Sequence, residues 1–505
     1  MAHSDGGAMW RYHVEQQLDT VINLDACVQV PPRNIPNDIF DMNTSGRASG
    51  SKIGASLRLN NMNNTDLSPK VQCLSLIFVL VLTGAALLAI PMTLVAGVIP
   101  VIFPVSILLL PVLIIFIIYG IAWSAYLVLA QSDRPPYAMI GPPSLSKYIP
   151  FVPLSPLRCL QVTKIVCEFI WLGVGSMSSF WYWYSLYRQQ KKAPEYETVV
   201  YSLPFSHNCL DIYPPDVDVV SQNAIVLMLV PTSFFPSYIS CNRKLYMPMA
   251  LRMRKLGYCV VVPDISYYPT CQIPQSVVDL RLALSWVGAH IFSYKGDPSR
   301  IYVMGMGISS ELVALTLVQE AAVMSRVVKR QDDENKDPSS EEKSDRLEFN
   351  KLMEIYAPQV RLPSLAGVVL AAGLSDVIKC YLHNVEMGTE HLGMLRRWAG
   401  PRRYQCIIHS PTHLLNNTKD NFDPAFLPSN FLLIHGGRDK FVPISQAALL
   451  QSLLMEVGVK NVELFACRDL GHFDTLKMLL AYPTSHSDSC RYDTPMMNAL
   501  CSFLV

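Results

Sequence analysis

Two polar residues near the C-terminus have the types and spacing that acid–base chemistry requires. A strand candidate, Phe431 to His435, leads into Gly436-Gly437-Arg438-Asp439 and Phe441-Val442-Pro443, and Gly471-His472-Phe473-Asp474 follows a second one. His472 therefore stands 33 residues after Asp439, each just beyond a strand. A carboxylate and a histidine so placed suit the orienting acid and the general base of a triad in the chain order nucleophile, acid, histidine. Each also has a plainer reading. Asp439 suits a cap on a helix starting near Pro443, and His472 suits a hydrogen-bonded loop histidine. Metal chemistry has no comparable basis, because no H-x-H, H-E-x-x-H or carboxylate cluster occurs at ligand spacing. A dinucleotide site is also excluded: Gly305-Met306-Gly307 is followed by Ser310 where a further glycine is needed. No cofactor is expected.

The elements that would position Asp439 and His472 begin near Val199. From there β-branched runs alternate with longer amphipathic segments, the pattern of a mostly parallel α/β sheet. Strands are expected at 199–203, 208–213, 223–230, 258–263, 301–305, 366–372, 430–435 and 461–466. Helices are expected at 242–256, 274–291, 308–325, 444–457 and 473–481, with apolar stripes such as Val278, Leu282 and Trp286. Right-handed crossovers would bring the strand C-termini to one edge, where loops build a site. A run dense in Asp, Glu, Lys and Ser at 329–351 reads as a solvated insertion.

Ahead of this domain the chain changes character. Residues 1–70 mix Asn, Ser, Gly and Pro and read as a disordered, uncleaved leader. Val71 to Ser132 then run for 62 residues without Asp, Glu, Lys, Arg or His. That is about three times the roughly 20 residues that cross a bilayer core as a helix. Pro91, Pro100 and Pro104 interrupt the stretch, so two spanning helices are expected, at 72–92 and 105–130. A third apolar segment within 160–192 holds 19 uncharged residues, Phe169 to Tyr187, with Trp171, Trp181 and Trp183. It suits either a third span or a helix lying in the interface, with Arg188, Lys191 and Lys192 among the headgroups. The division expected is thus 1–70, 71–132, 160–192 and a domain at 196–505.

Composition narrows the function further. Half of the 505 residues are hydrophobic and 16% are charged. Mean hydropathy is +0.25, which points to lipid. A formal net charge of +1 supplies no basic field, and nucleic acid is set aside as a partner. The 13 cysteines show no C-x-x-C and no pairing rhythm, so reduced, cytosol-facing thiols are expected. An endomembrane such as the endoplasmic reticulum, with the large domain in the cytosol, fits these features. Basic residues flank the apolar segments evenly and fix no orientation. Asn416-Asn417-Thr418 is a formal glycosylation triplet that would matter only in a lumen.

From about Val199 to Leu480 the chain resembles the α/β-hydrolase superfamily. Within it the chain is most similar to the hormone-sensitive-lipase-like carboxylesterases and the membrane-bound isoprenylcysteine methylesterases. The resemblance rests on Val200-Tyr201 followed by Asn208 to Pro214, on Asp264 with Tyr267-Tyr268-Pro269, on Gly296 to Tyr302, and on Leu374-Ser375 and Ser410-Pro411. It implies an α/β-hydrolase fold behind a helical membrane hairpin, and a lipid-like ester, such as a prenylcysteine methyl ester, as ligand. It also implies a nucleophile elbow, G-x-S-x-G, where this chain reads Gly305-Met306-Gly307-Ile308-Ser309. Gly307 then takes the serine's place and Ser309 that of the second glycine. The family's glycine-rich oxyanion turn is replaced by Val230-Pro231-Thr232-Ser233-Phe234-Phe235-Pro236, with side chains at Thr232 and Ser233 and two prolines that lack donors. The arginine that often follows the next loop's aspartate is replaced by Ser266.

Three readings follow. The first is a pseudohydrolase that binds membrane lipid, a lipid-like ester or a partner protein without turnover. The second is an active esterase in which Ser309 takes over as nucleophile beside His472 and Asp439. The third is a membrane scaffold that docks proteins. Two losses together, at Gly307 and at Thr232-Ser233, favour the first, since a missing triad serine alone removes about six orders of magnitude in turnover.

Overall fold

The computed structural model describes residues 69–129, 154–202, 208–216, 223–234, 239–240, 243–268, 270–333, 360–390, 392–393, 395–400, 403–419, 422–480 and 490–504. The expected leader, apart from its last two residues, and most of the charged insertion lie outside these residues.

Eight strands form one sheet: β1 (Glu197–Val200), β2 (Cys209–Tyr213), β3 (Ala224–Val230), β6 (Cys259–Pro263), β7 (Gly296–Met306), β8 (Gly367–Ala371), β9 (Asn430–Gly436) and β10 (Asn461–Cys467). Two short strands, β4 (Ser233–Phe234) and β5 (Ile239–Ser240), make a separate ribbon. The sheet order is β1-β2-β6-β3-β7-β8-β9-β10, antiparallel at the β1/β2 and β2/β6 pairings and parallel elsewhere. The central strands are apolar on both faces because helices cover both, and all but one residue of Ala224-Ile225-Val226-Leu227-Met228-Leu229-Val230 are buried. This is an α/β-hydrolase fold. β7 is longer than the run 301–305, beginning at Gly296, where a bulge shifts its register against β3.

Two long apolar helices come first, α1 (Pro69–Ala96) and α2 (Phe103–Leu129), packed on each other as a hairpin. Both are long and apolar enough to cross a membrane. Pro91 does not end α1, as the sequence led one to expect: the helix runs through it to Ala96, and α2 similarly runs through Pro111. One missing amide in an apolar helix is tolerated where the rest of the backbone stays bonded. The turn falls instead at 97–102 and contains Pro100.

The third apolar segment is two helices, α3 (Pro156–Gly175) and α4 (Met177–Lys192), divided at Ser176. Neither is among the described helices long and apolar enough to cross a membrane. Further helices are α5 (Met247–Lys255), α6 (Ile273–His290), α7 (Ile308–Asp333), α8 (Val377–Glu386), α9 (Leu395–Ala399), α10 (Arg403–Ile408), α11 (Pro411–Thr418), α12 (Ser445–Glu456), α13 (His472–Leu479) and α14 (Cys490–Phe503). α7 is apolar enough to span a membrane, yet 89% of its apolar window is buried inside the protein. It is a core helix under the sheet. The helices α8 to α11 between β8 and β9, together with α14, have no counterpart in the expected pattern.

Candidate active site

The strand-to-helix turn from β7 into α7 keeps the backbone of a nucleophile elbow. Gly307 occupies its tip at φ +60°, a conformation that side chains seldom adopt. Its amide donates to Ala371 O at 2.8 Å. Gly305 lies so close to the start of α7 that a Cβ there would fall 2.6 Å from Ser309 O. The turn is therefore as tight as such an elbow requires, with a glycine at its tip.

Opposite Gly307 stands His472, at the start of α13. A Cβ added at Gly307 would lie 3.8 Å from His472 Nε2. A serine hydroxyl at that position would come within hydrogen-bonding reach of the imidazole. His472 donates through Nδ1–H to Asp439 Oδ2 at 2.7 Å, which leaves Nε2 as the acceptor facing the elbow. Asp439 is itself fixed, since its Oδ1 accepts the amides of Phe441 and Val442, each at 2.9 Å. Asp439 is thus both the orienter of His472 and the cap of the turn leading to α12, so the two readings of it coexist.

The oxyanion side is closed off. In this architecture the amide of the residue after the nucleophile donates to the developing oxyanion. Here that amide, Ile308 N, donates to Thr232 Oγ1 at 3.2 Å. Thr232 N in turn donates to the Tyr246 hydroxyl at 3.0 Å, and Tyr267 OH donates to Pro231 O at 2.7 Å. Two buried tyrosines thereby hold Pro231 and Thr232 against the elbow. Ser233 enters the β4–β5 ribbon, opposite Ser240.

Ser309 does not join this group. It is fully buried; its hydroxyl lies 2.8 Å from Val230 O and 3.0 Å from Met306 O, and accepts from Met306 N at 2.8 Å. These bonds tie the elbow to β3 and spend the hydroxyl on backbone. Ser310 likewise donates to Gly305 O at 3.2 Å.

Thr232, Gly307 and His472 line one cavity of about 100 Å³. Its other walls are apolar, from Ile308, Leu374, Leu395, Phe441, Phe473 and Leu476, with Cys380 and Asn384 of α8 above. Burial pushes the Cys380 thiol up to about 12, so it faces the cavity as a neutral apolar group. This roof was missed in the sequence. Its signals were short: Asp376, whose side chain accepts from Lys379 N as the cap of α8, and the Ser410-Pro411 start of α11. Among the described residues no group of three or more His, Cys, Asp or Glu is disposed to hold a metal ion.

Comparison with known proteins finds several similar ones. The BD-FAE family model matches residues 210–454. Esterase LipQ of Mycobacterium tuberculosis is 24% identical over 258 residues, covering 50% of this chain and 51% of that protein. A rice protein (Oryza sativa subsp. japonica) named Probable isoprenylcysteine alpha-carbonyl methylesterase ICME is 28% identical over 119 residues, 24% of this chain and 28% of its own length. The crystal structure of esterase B from Lactobacillus rhamnosis matches over 66% of this chain and 96% of that one, at 14% identity and a TM-score of 0.43. The chain thus carries an α/β-hydrolase-type domain that is similar to those of carboxylesterases. It spans about half the length of LipQ and about a quarter of the rice protein.

Proposed function

We propose that the protein is a membrane-anchored pseudohydrolase, which keeps a carboxylesterase pocket to bind a lipid-like ligand and does not turn it over. One observation carries this reading: Thr232 Oγ1 occupies the Ile308 amide beside a nucleophile position held by Gly307. Neither the attacking group nor its principal oxyanion donor is available to an ester. An apolar cavity with His472 as its main polar feature suits a chain bearing a carbonyl or hydroxyl group.

Membrane anchoring is supported by α1 and α2, whose Phe78, Val81, Leu88 and Leu108 side chains are left uncovered by the protein. The exposed Trp171 and Trp181 suit the headgroup boundary. Nine cysteines among the described residues are free, in keeping with a large domain on the cytosolic side of an endomembrane.

The test is hydrolysis of short-chain p-nitrophenyl esters by the purified full-length protein, Ser309→Ala and His472→Ala. All three should run at the buffer background. Robust wild-type turnover lost in Ser309→Ala would overturn the proposal in favour of an esterase with a displaced nucleophile.

A further inference from the structure

His472 borders a second cavity of about 170 Å³, which shares Phe441 and Phe473 with the first. One wall is α3, through Glu168, Phe169 and Leu172, and the other is the loop carrying Arg438 and Lys440. Phe169 packs on Phe441 and Phe473 with ring centroids 5.3 and 5.2 Å apart, and these two rings lie 5.3 Å from each other. Phe441 and Phe473, with His472, line both cavities, and Phe169 lines the second alone. A Lys440–Glu168 ion pair of 2.8 Å closes the rim.

α3 has two faces. Arg158, Val162, Ile165 and Phe169 turn toward the protein, whereas Leu157, Leu160, Trp171 and Val174 are 66%, 51%, 79% and 63% exposed. The exposed face continues the surface of the spanning hairpin, because α3 is seated on α2. Thr163 Oγ1 donates to Ile118 O at 2.8 Å and Tyr119 OH to Leu154 O at 2.9 Å. The same unit is fastened to the cavity roof: Tyr126 OH of α2 donates to Gly388 O at 2.9 Å, and Arg158 pairs with Glu390 at 2.9 Å.

We infer that α3 is a strap lying in the bilayer interface, and that the second cavity is a lateral portal through which a single-chain amphiphile, acyl or isoprenoid, passes from the membrane to His472. The inference rests on the membrane-anchored, ligand-binding reading above. Lipid is the occupant that suits α3's outer face, since that face is apolar, carries a tryptophan and is continuous with helices that must themselves meet hydrocarbon. The chain slides between Leu172 and Phe473, and the aromatic rings part to admit it.

Photolabelling tests this. Full-length protein in phosphatidylcholine nanodiscs holding a diazirine-tagged palmitic acid methyl ester is illuminated and its adducts mapped. Adducts are expected on the outer face of α3 and, within the cavities, on peptides carrying Phe441, Phe473 and Leu476. Leu172→Trp, which overfills the portal, should lower the inner adducts by roughly tenfold, the effect of one to two kcal/mol of overpacking, and leave the outer ones unchanged. Lys440→Ala, which opens the rim, should raise the inner adducts. Inner adducts that respond to neither substitution would overturn the portal while the ligand-binding pocket stands. Inner labelling missing from wild type would overturn the lipid-binding reading with it. Release of the protein from vesicles by alkaline carbonate would overturn the membrane anchor.

Discussion

Two halves of one cavity have been kept to different degrees. At the ends of β9 and β10, Asp439 and His472 hold the 2.7 Å bond and the orientation of a working acid–base pair. Across the cavity, at the ends of β3 and β7, the elbow carries Gly307 and the oxyanion amide is bonded to Thr232. The contrast lies in what else each residue does. Asp439 caps the loop into α12 through two amides, so the fold needs it whether or not an ester is cleaved. A serine at position 307 would have no structural duty and would bear the strain of a left-handed conformation, worth about 1–2 kcal/mol. Survival of the pair on the first side is thus no sign of turnover.

Several substitutions would break or sharpen that contrast. The largest effect is expected from changing the Gly307 side. Gly307→Ser with Thr232→Gly restores the hydroxyl beside His472 and frees the Ile308 amide. Ester turnover should rise about a thousandfold over wild type, since the triad serine is worth about six orders of magnitude and an imperfect oxyanion hole forfeits two or three. Gly307→Ser alone should gain less, by the factor that one oxyanion donor contributes.

On the preserved side, Asp439→Ala should lower stability by about 3 kcal/mol in a denaturant titration, because it strands two amides and the His472 N–H. His472→Ala, which strands only one carboxylate oxygen, should cost clearly less.

Behind the elbow, Glu311 is fully buried and its carboxyl oxygens make no hydrogen bond among the described residues. Burial holds this carboxyl well above the usual 4.5, so the folded protein retains a proton that the unfolded chain releases. The group's contribution is therefore favourable in acid and lost as pH rises above the unfolded value. Glu311→Met should stabilise by about 2 kcal/mol near pH 7.5 and by less near pH 5, measured as a shift in thermal midpoint.

The smallest effect is expected at Ser309. Ser309→Ala removes a hydroxyl bonded to β3 and to Met306 and should cost about 1 kcal/mol of stability, with no change in ester turnover.

Much of this architecture was legible in the chain because each central strand is a short apolar run, as in Ala224–Val230, and parallel burial on both faces demands just that. The two long apolar helices were equally plain. Short helices were not. α9 and α10 have five and six residues, too few for a 3.6-residue period to emerge, and with α8 they supply or adjoin the cavity roof. The break at Ser176 was hidden because hydropathy is continuous across it, although Gly173 and Gly175 precede it. Glycines missing from the Pro231–Pro236 turn could be read directly. That Thr232 would turn its hydroxyl onto the Ile308 amide depends on how β3 and β7 lie side by side, which only the folded chain reveals.

The central claim is that the site lacks a nucleophile, while His472 and Asp439 keep the geometry to activate one placed at residue 307. Labelling by a fluorophosphonate, read by intact mass in wild type and Gly307→Ser side by side, tests it most directly. Wild type should remain unmodified and Gly307→Ser should gain a single adduct, mapped to residue 307 and lost again in Gly307→Ser with His472→Ala. A stoichiometric adduct on wild type, at Ser309 or elsewhere in the cavity, would contradict the account.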